Sequence, residues 1–173
     1  MIAKAFSVAL ILGSLVVAPV TAADIYLVRH AEKEVDGSKD PALTLEGTQR
    51  AEDLAVLLKS AKIGRAFSTD FIRTRTTAAP TAEMAGSEIE IYDPKALEVL
   101  AKKLLQLDTN TLVVGHSNTT PELVELMGGD GGPPIVEEWE YDRVYLVQTE
   151  TGHVTRTILL HLPPSKVPAD SVD

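Results

Sequence analysis

The feature that most constrains this chain is a regular alternation of short, β-rich apolar runs with amphipathic segments. Residues 24–28 (DIYLV), 66–68, 88–92 and 111–114 read as buried or alternating strands. Between them, residues 45–60 place Leu45, Ala51, Leu54, Ala55, Leu57 and Leu58 at helical spacing, with Thr44 as N-cap and Glu46 in the first turn. Residues 71–85 read as a helix in which Pro80 predicts a kink or interruption. Residues 94–107 carry Leu97, Leu100, Ala101, Leu104 and Leu105 on one face, and Thr120-Pro121 predicts the start of a helix running to Met127. A Gly/Pro loop at 128–134 leads to strands 141–148 and 153–161, joined at Glu150-Thr151-Gly152 as a hairpin. This order predicts an α/β class fold: a three-layer, doubly wound, mainly parallel sheet with a C-terminal hairpin.

The two ends of the chain stand apart from that pattern. Lys4 precedes an apolar run over residues 5–17, followed by Pro19 and small residues at 20–23. That is the pattern of a secretory signal peptide, and the run is shorter than the ~20 residues a spanning helix needs. The expected organisation is therefore a signal peptide over 1–23, one domain over 24–162 and a Pro-rich flexible tail over 163–173. Export predicts a periplasmic or secreted protein with no stable membrane insertion after cleavage. Cysteine is absent, so disulfides, thiolate metal sites and lipid attachment through a cysteine are excluded. With 16 Lys+Arg against 25 Asp+Glu, the chain has a formal charge of −9 and no basic face for nucleic acid. An anionic small molecule remains compatible, because a few convergent arginines make a local positive pocket on an acidic protein.

In parallel sheets of this kind, ligands bind beyond the carboxyl ends of the strands. Two predicted strands end at Arg29-His30 and Gly115-His116, and a third ends near Ser68, a short way before Arg73. Arginine supplies a planar fork for phosphoryl oxygens, and neutral imidazole is a competent nucleophile toward phosphorus. Arg75, two helical positions from Arg73, points elsewhere on the helix and reads as a surface residue. Ser117 and Asn118 read as caps of the following turn. His153 and His161 read as hairpin residues, and Trp139, Glu137, Glu138 and Tyr141 as packing near the edge of a site.

Arg29-His30-Ala31-Glu32 closely resembles the Arg-His-Gly-Glu signature of the histidine phosphatase superfamily, also called phosphoglycerate mutase-like. Residues 68–78 (STDFIRTRTTA) resemble its second motif, residues 113–117 (VVGHS) its late histidine, and Leu43-Thr44 with Gly47 its first-helix start. The resemblance implies the phosphoglycerate mutase-like fold. It also implies a metal-independent, cofactor-free phosphatase of the histidine acid type, working through a phosphohistidine on His30. Arg29, Arg73 and His116 would then bind the phosphoryl group of a phosphorylated small molecule, such as a phosphosugar. Ala31 stands where the family has Gly, so the turn after the nucleophile must use an ordinary conformation or carry strain. The family's proton donor, a Glu after the third strand, has no clear counterpart; Glu32, Glu98 and Asp93 are the candidates, with Asp70 an outside one. The missing acid leaves open a non-catalytic phosphate-ligand binding protein. Phosphohistidine phosphatase-like and mutase activities are further alternatives.

Overall fold

The computed structural model describes residues 21–165. Residues 1–20 of the expected signal peptide and most of the expected tail lie outside the described residues, whereas Ala22 and Ala23, placed within that segment, open the first strand of the domain by pairing with Glu150 and Thr149. One six-stranded sheet has the order β3-β2-β4-β1-β5-β6. Its strands are β1 (Ala22–Arg29), β2 (Arg65–Ser68), β3 (Ile89–Ile91), β4 (Thr111–Gly115), β5 (Arg143–Glu150) and β6 (His153–His161). β1 pairs in parallel with β4, β4 with β2 and β2 with β3, whereas β5 is antiparallel to β1 and β6 to β5. The helices are α1 (Leu45–Leu58), α2 (Ile72–Ala85), α3 (Leu97–Leu104) and α4 (Thr119–Leu126).

Alternation along the strands divides the core into two layers. Ile25 and Leu27 of β1, Phe67 of β2 and Val113 of β4 pack against α3 and α4 through Leu97, Leu100, Leu104, Leu123 and Val124. Val28, Leu112, Val114 and Val144 point the other way, toward Leu54 and Leu58 of α1 and Ala78 of α2. The doubly wound three-layer expectation is thus met. Leu45 and Leu57 depart from it, because α1 leaves both about half exposed (47% and 48%) while Ala51, Leu54, Ala55 and Leu58 fill the interface.

Local chemistry explains most element ends. Thr44 caps α1, its hydroxyl accepting from the Gly47 N–H at 3.0 Å. Gly47 is required for a tertiary reason: an added Cβ would lie 2.1 Å from the Glu32 carbonyl oxygen. Pro80 sits inside α2 without interrupting it. In the hairpin, Thr151 (φ 49°) and Gly152 (φ 81°) form the two-residue turn, with positive φ at both positions as a tight hairpin demands. The expected start of α4 is corrected: the helix begins at Thr119, and Thr120 lies within it. The Thr120 hydroxyl donates to Val28 O (3.2 Å) across the sheet instead of capping. Asn118 stands at the N-cap position but makes no side-chain capping bond, and the Thr119 hydroxyl takes the His116 N–H at 2.9 Å.

Candidate active site

The β1 and β4 carboxyl ends are locked together, with the His30 N–H donating to Gly115 O at 2.9 Å. This pairing brings two histidines to one point on the sheet edge. The His30 and His116 ring centroids are 5.5 Å apart, edge to face, and the His116 ring meets Phe71 edge-on at 5.2 Å. A cleft of about 610 Å³ opens over them, lined by His30, Phe71, Arg73, His116 and Ser117, with Lys33, Lys95 and Glu137 among the charged groups at its walls.

His30 is buried, and its Nδ1 lies 2.8 Å from Ala31 O. A carbonyl oxygen only accepts, so Nδ1 carries the hydrogen and Nε2 keeps its lone pair in the neutral ring. Burial lowers the His30 pKa to about 3; the Ala31 bond is the largest opposing influence, and Arg29, His116 and Arg73 add smaller effects in the direction of burial. The ring is therefore neutral near pH 7, which is the state a nucleophile needs. Burial, then Arg73 and Arg29, likewise lower His116 to about 4.

Ala31 does not have positive φ, so the turn after His30 uses an ordinary backbone conformation. Its N–H donates to the Thr77 hydroxyl at 3.0 Å, and that hydroxyl donates to Arg73 O at 2.8 Å. Thr77 thereby fixes the turn after His30 against the helix that carries Arg73. Asp40, from the loop before α1, accepts from the Ile72 N–H (2.9 Å) and from Arg73 Nη1 (3.3 Å). It caps α2 and steers the guanidinium, which lies 4.3 Å over the Phe71 ring. The Arg73 Nε–H is buried without an acceptor. The His116 Nε2 lies 3.0 Å from the Thr69 hydroxyl, itself 2.9 Å from that of Thr74.

Arg29 is placed differently from Arg73. Its Nη1 donates to Glu140 O (3.0 Å) and Val136 O (3.4 Å), and its Nη2 to Glu137 O (2.8 Å). Tyr141 stacks on the guanidinium at 4.0 Å. Arg143 completes the hold on the same irregular segment, donating to Glu140 Oε1 (2.5 Å) and Pro133 O (2.7 Å). Two buried guanidinium groups thus satisfy backbone carbonyls that no strand or helix would pair. The segment they hold forms one wall of the cleft.

The candidate acids are dispersed. Glu32 is held by Arg50 through both oxygens, at 2.5 to 2.9 Å. Asp93 is exposed and accepts from the Lys95 N–H (2.9 Å), and Glu98 lies on the exposed face of α3. Asp70 pairs at the surface with Arg75, as expected for that arginine. His161 pairs with Asp142 (2.9 Å), and His153 is exposed on the hairpin. Asp40, Thr69, Thr74, Lys33 and Lys95 were not visible as site residues in the sequence. Asp40 and Thr69 meet partners distant along the chain, Arg73 and His116, and Thr69 and Thr74 lie within the 68–78 motif without being singled out by it. Thr77 was legible only as part of the resemblance. Among the described residues, no three His, Cys, Asp or Glu side chains converge to hold a metal ion.

A doubly wound sheet with paired histidines and an arginine at its carboxyl edge defines a phosphoglycerate mutase-like fold with a cleft over that edge. Comparison with known proteins bears on this directly. The model of the histidine phosphatase superfamily (branch 1) matches residues 25–99. A protein named "Probable phosphoglycerate mutase GpmB" from Escherichia fergusonii is 33% identical over 106 residues, which is 58% of this chain and 49% of that protein. The chain therefore spans about half the length of the curated relatives it matches. The protein histidine phosphatase SixA, solved with tungstate, superposes with a TM-score of 0.64 at 19% identity, over 80% of this chain and 96% of that one. A mycobacterial glucosyl-3-phosphoglycerate phosphatase gives 0.61 at 13% identity, over 83% and 100%. At such identities these structures establish the fold. Over residues 25–99 the chain is thus similar to the histidine phosphatase superfamily, whose members are phosphatases and mutases, and it shares their fold.

Proposed function

We propose that this protein is an exported, metal-independent phosphatase that hydrolyses phosphomonoesters of small molecules through a phosphohistidine on His30. The observation that carries the reading is the His30 tautomer: Nδ1–H is held by Ala31 O, so Nε2 is free to attack. Arg73 and His116 line the same cleft and would take the equatorial oxygens, where most of the transition-state charge lies. A phosphoryl oxygen would also satisfy the buried Arg73 Nε–H. Arg29 adds its charge and an unpartnered Nε–H from behind the wall it holds. Lys33 and Lys95 extend the positive lining outward, in keeping with a phosphorylated sugar or acid. The fold shared with the glucosyl-3-phosphoglycerate phosphatase supports hydrolysis of this class of substrate, and that shared with the protein histidine phosphatase SixA supports phosphatase chemistry more generally. Export rests on the leader-like run over residues 5–17.

The test is hydrolysis of p-nitrophenyl phosphate with EDTA present, for wild type and His30→Ala. This leaving group departs without a proton, so the assay isolates the nucleophile and the phosphate pocket. EDTA-resistant turnover lost in the variant is expected, and turnover retained in His30→Ala would overturn the reading. Fractionation of the native host tests export: recovery in the cytoplasm with the first 23 residues uncleaved would contradict it.

A further inference from the structure

We infer that Glu137 is the proton donor to the leaving-group oxygen, an inference that rests on the phosphatase reading above. The acids suggested by the sequence are occupied or turned away. Both oxygens of Glu32 are held by Arg50, Asp93 accepts from the Lys95 N–H and is not among the residues lining the cleft, and Glu98 lines a separate depression with Glu122 and Leu126. Glu137 is the one carboxylate among the residues lining the cleft. Its carboxylate also lies near enough to Arg29 and Arg73 to favour their charged forms. It therefore sits on the side of the cleft where the phosphoryl group would bind.

Its placement is fixed from behind. The Glu137 carbonyl accepts from Arg29 Nη2 at 2.8 Å, and its neighbours Val136 and Glu140 accept from Nη1. The Val136 N–H donates to Glu140 Oε2 at 2.8 Å, and Glu140 is itself paired with Arg143. Arg29 is the last residue of β1 and directly precedes His30, so one side chain ties the Glu137 backbone to the strand that leads into His30.

The chemistry balances without a further reactant. Nε2 of His30 forms a bond to phosphorus as the bond to the ester oxygen breaks, and that oxygen keeps the electron pair. Glu137 transfers its proton to this oxygen, and the alcohol leaves. In the second half, the Glu137 carboxylate takes a proton from water as the water oxygen bonds to phosphorus. The P–N bond breaks, Nε2 regains its lone pair, and phosphate departs.

The experiment compares kcat/KM for p-nitrophenyl phosphate and for glycerol 2-phosphate in wild type, Glu137→Gln and Glu138→Gln, with His30→Ala as the reference. Loss of a general acid costs on the order of 10²–10⁴-fold where the leaving group needs a proton. Glu137→Gln is expected to lose that much with glycerol 2-phosphate and only a few-fold with p-nitrophenyl phosphate, while Glu138→Gln behaves as wild type. Equal losses on both esters, or no selective loss on the alkyl ester, would overturn the assignment. So would a wild type that hydrolyses only the aryl ester, since no acid would then be working. Failure of the phosphatase reading itself is distinct, because turnover would then be absent or would survive His30→Ala.

Discussion

The state of one imidazole decides whether the proposed chemistry can run. As the proposed nucleophile His30 must be neutral, and burial among cationic neighbours keeps it so, with a pKa lowered to about 3. Protonation is favoured in the unfolded chain, where histidine titrates near 6.5. Between about pH 6.5 and about pH 3 the unfolded state therefore binds the extra proton, and stability falls as pH falls through that window. At pH 5 this linkage is worth roughly 2 kcal/mol. Urea melts at pH 7 and pH 5 should show wild type losing about that much more than His30→Asn. An NMR titration should find the His30 ring neutral down to about pH 4; a midpoint near 6.5 would remove the basis for a buried neutral nucleophile. Asp40 acts at the same scale. Asp40→Asn weakens both its hold on Arg73 and the cap on α2, so KM for p-nitrophenyl phosphate should rise several-fold with a smaller change in kcat. A change confined to kcat would separate Asp40 from phosphate binding.

At the scale of elements, the site is held by contacts between segments far apart in sequence. This explains which parts of it could be read in advance. His30, His116 and Arg73 were legible because each lies at or just beyond the carboxyl end of a parallel strand, where local pattern and motif coincide. Asp40, Thr69 and the carbonyl-gripping role of Arg29 were not, because each depends on a partner that only the packed fold brings near. The boundary of α4 failed for the same reason: Thr120 has good capping chemistry, but its hydroxyl finds Val28 O across the sheet. Gly47 shows the constraint in its simplest form. Its local motif suggests only a helix start, yet the Glu32 carbonyl lies where a Cβ would stand. Gly47→Ala must push α1 away from the turn after His30, at a cost of about 1–3 kcal/mol. A thermal midpoint unchanged from wild type would mean that this approach is not tight. Because Thr44 and Arg50 tie the same helix to Glu32, the substitution should also lower kcat/KM.

For the whole molecule, a formal charge of −9 surrounds a cleft whose walls carry Arg73, Lys33 and Lys95. The two fields act over different ranges, and salt separates them. At ~10 mM ionic strength the Debye length is ~30 Å, so an approaching phosphate dianion meets the acidic surface as a whole. At ~150 mM it is ~8 Å, which screens the distant carboxylates but leaves the cations lining the cleft in force. Near 1 M it is ~3 Å, and the local attraction weakens too. The expected dependence of kcat/KM for p-nitrophenyl phosphate on NaCl is therefore a maximum: a rise from ~10 to ~150 mM, then a fall toward 1 M. A cleft whose positive field dominated at long range would instead give a steady fall from the lowest salt. Lys33→Ala with Lys95→Ala should deepen the low-salt deficit, because it removes cations that offset the acidic surround. If the double variant keeps the wild-type salt profile, these lysines do not contribute to the field that the substrate meets.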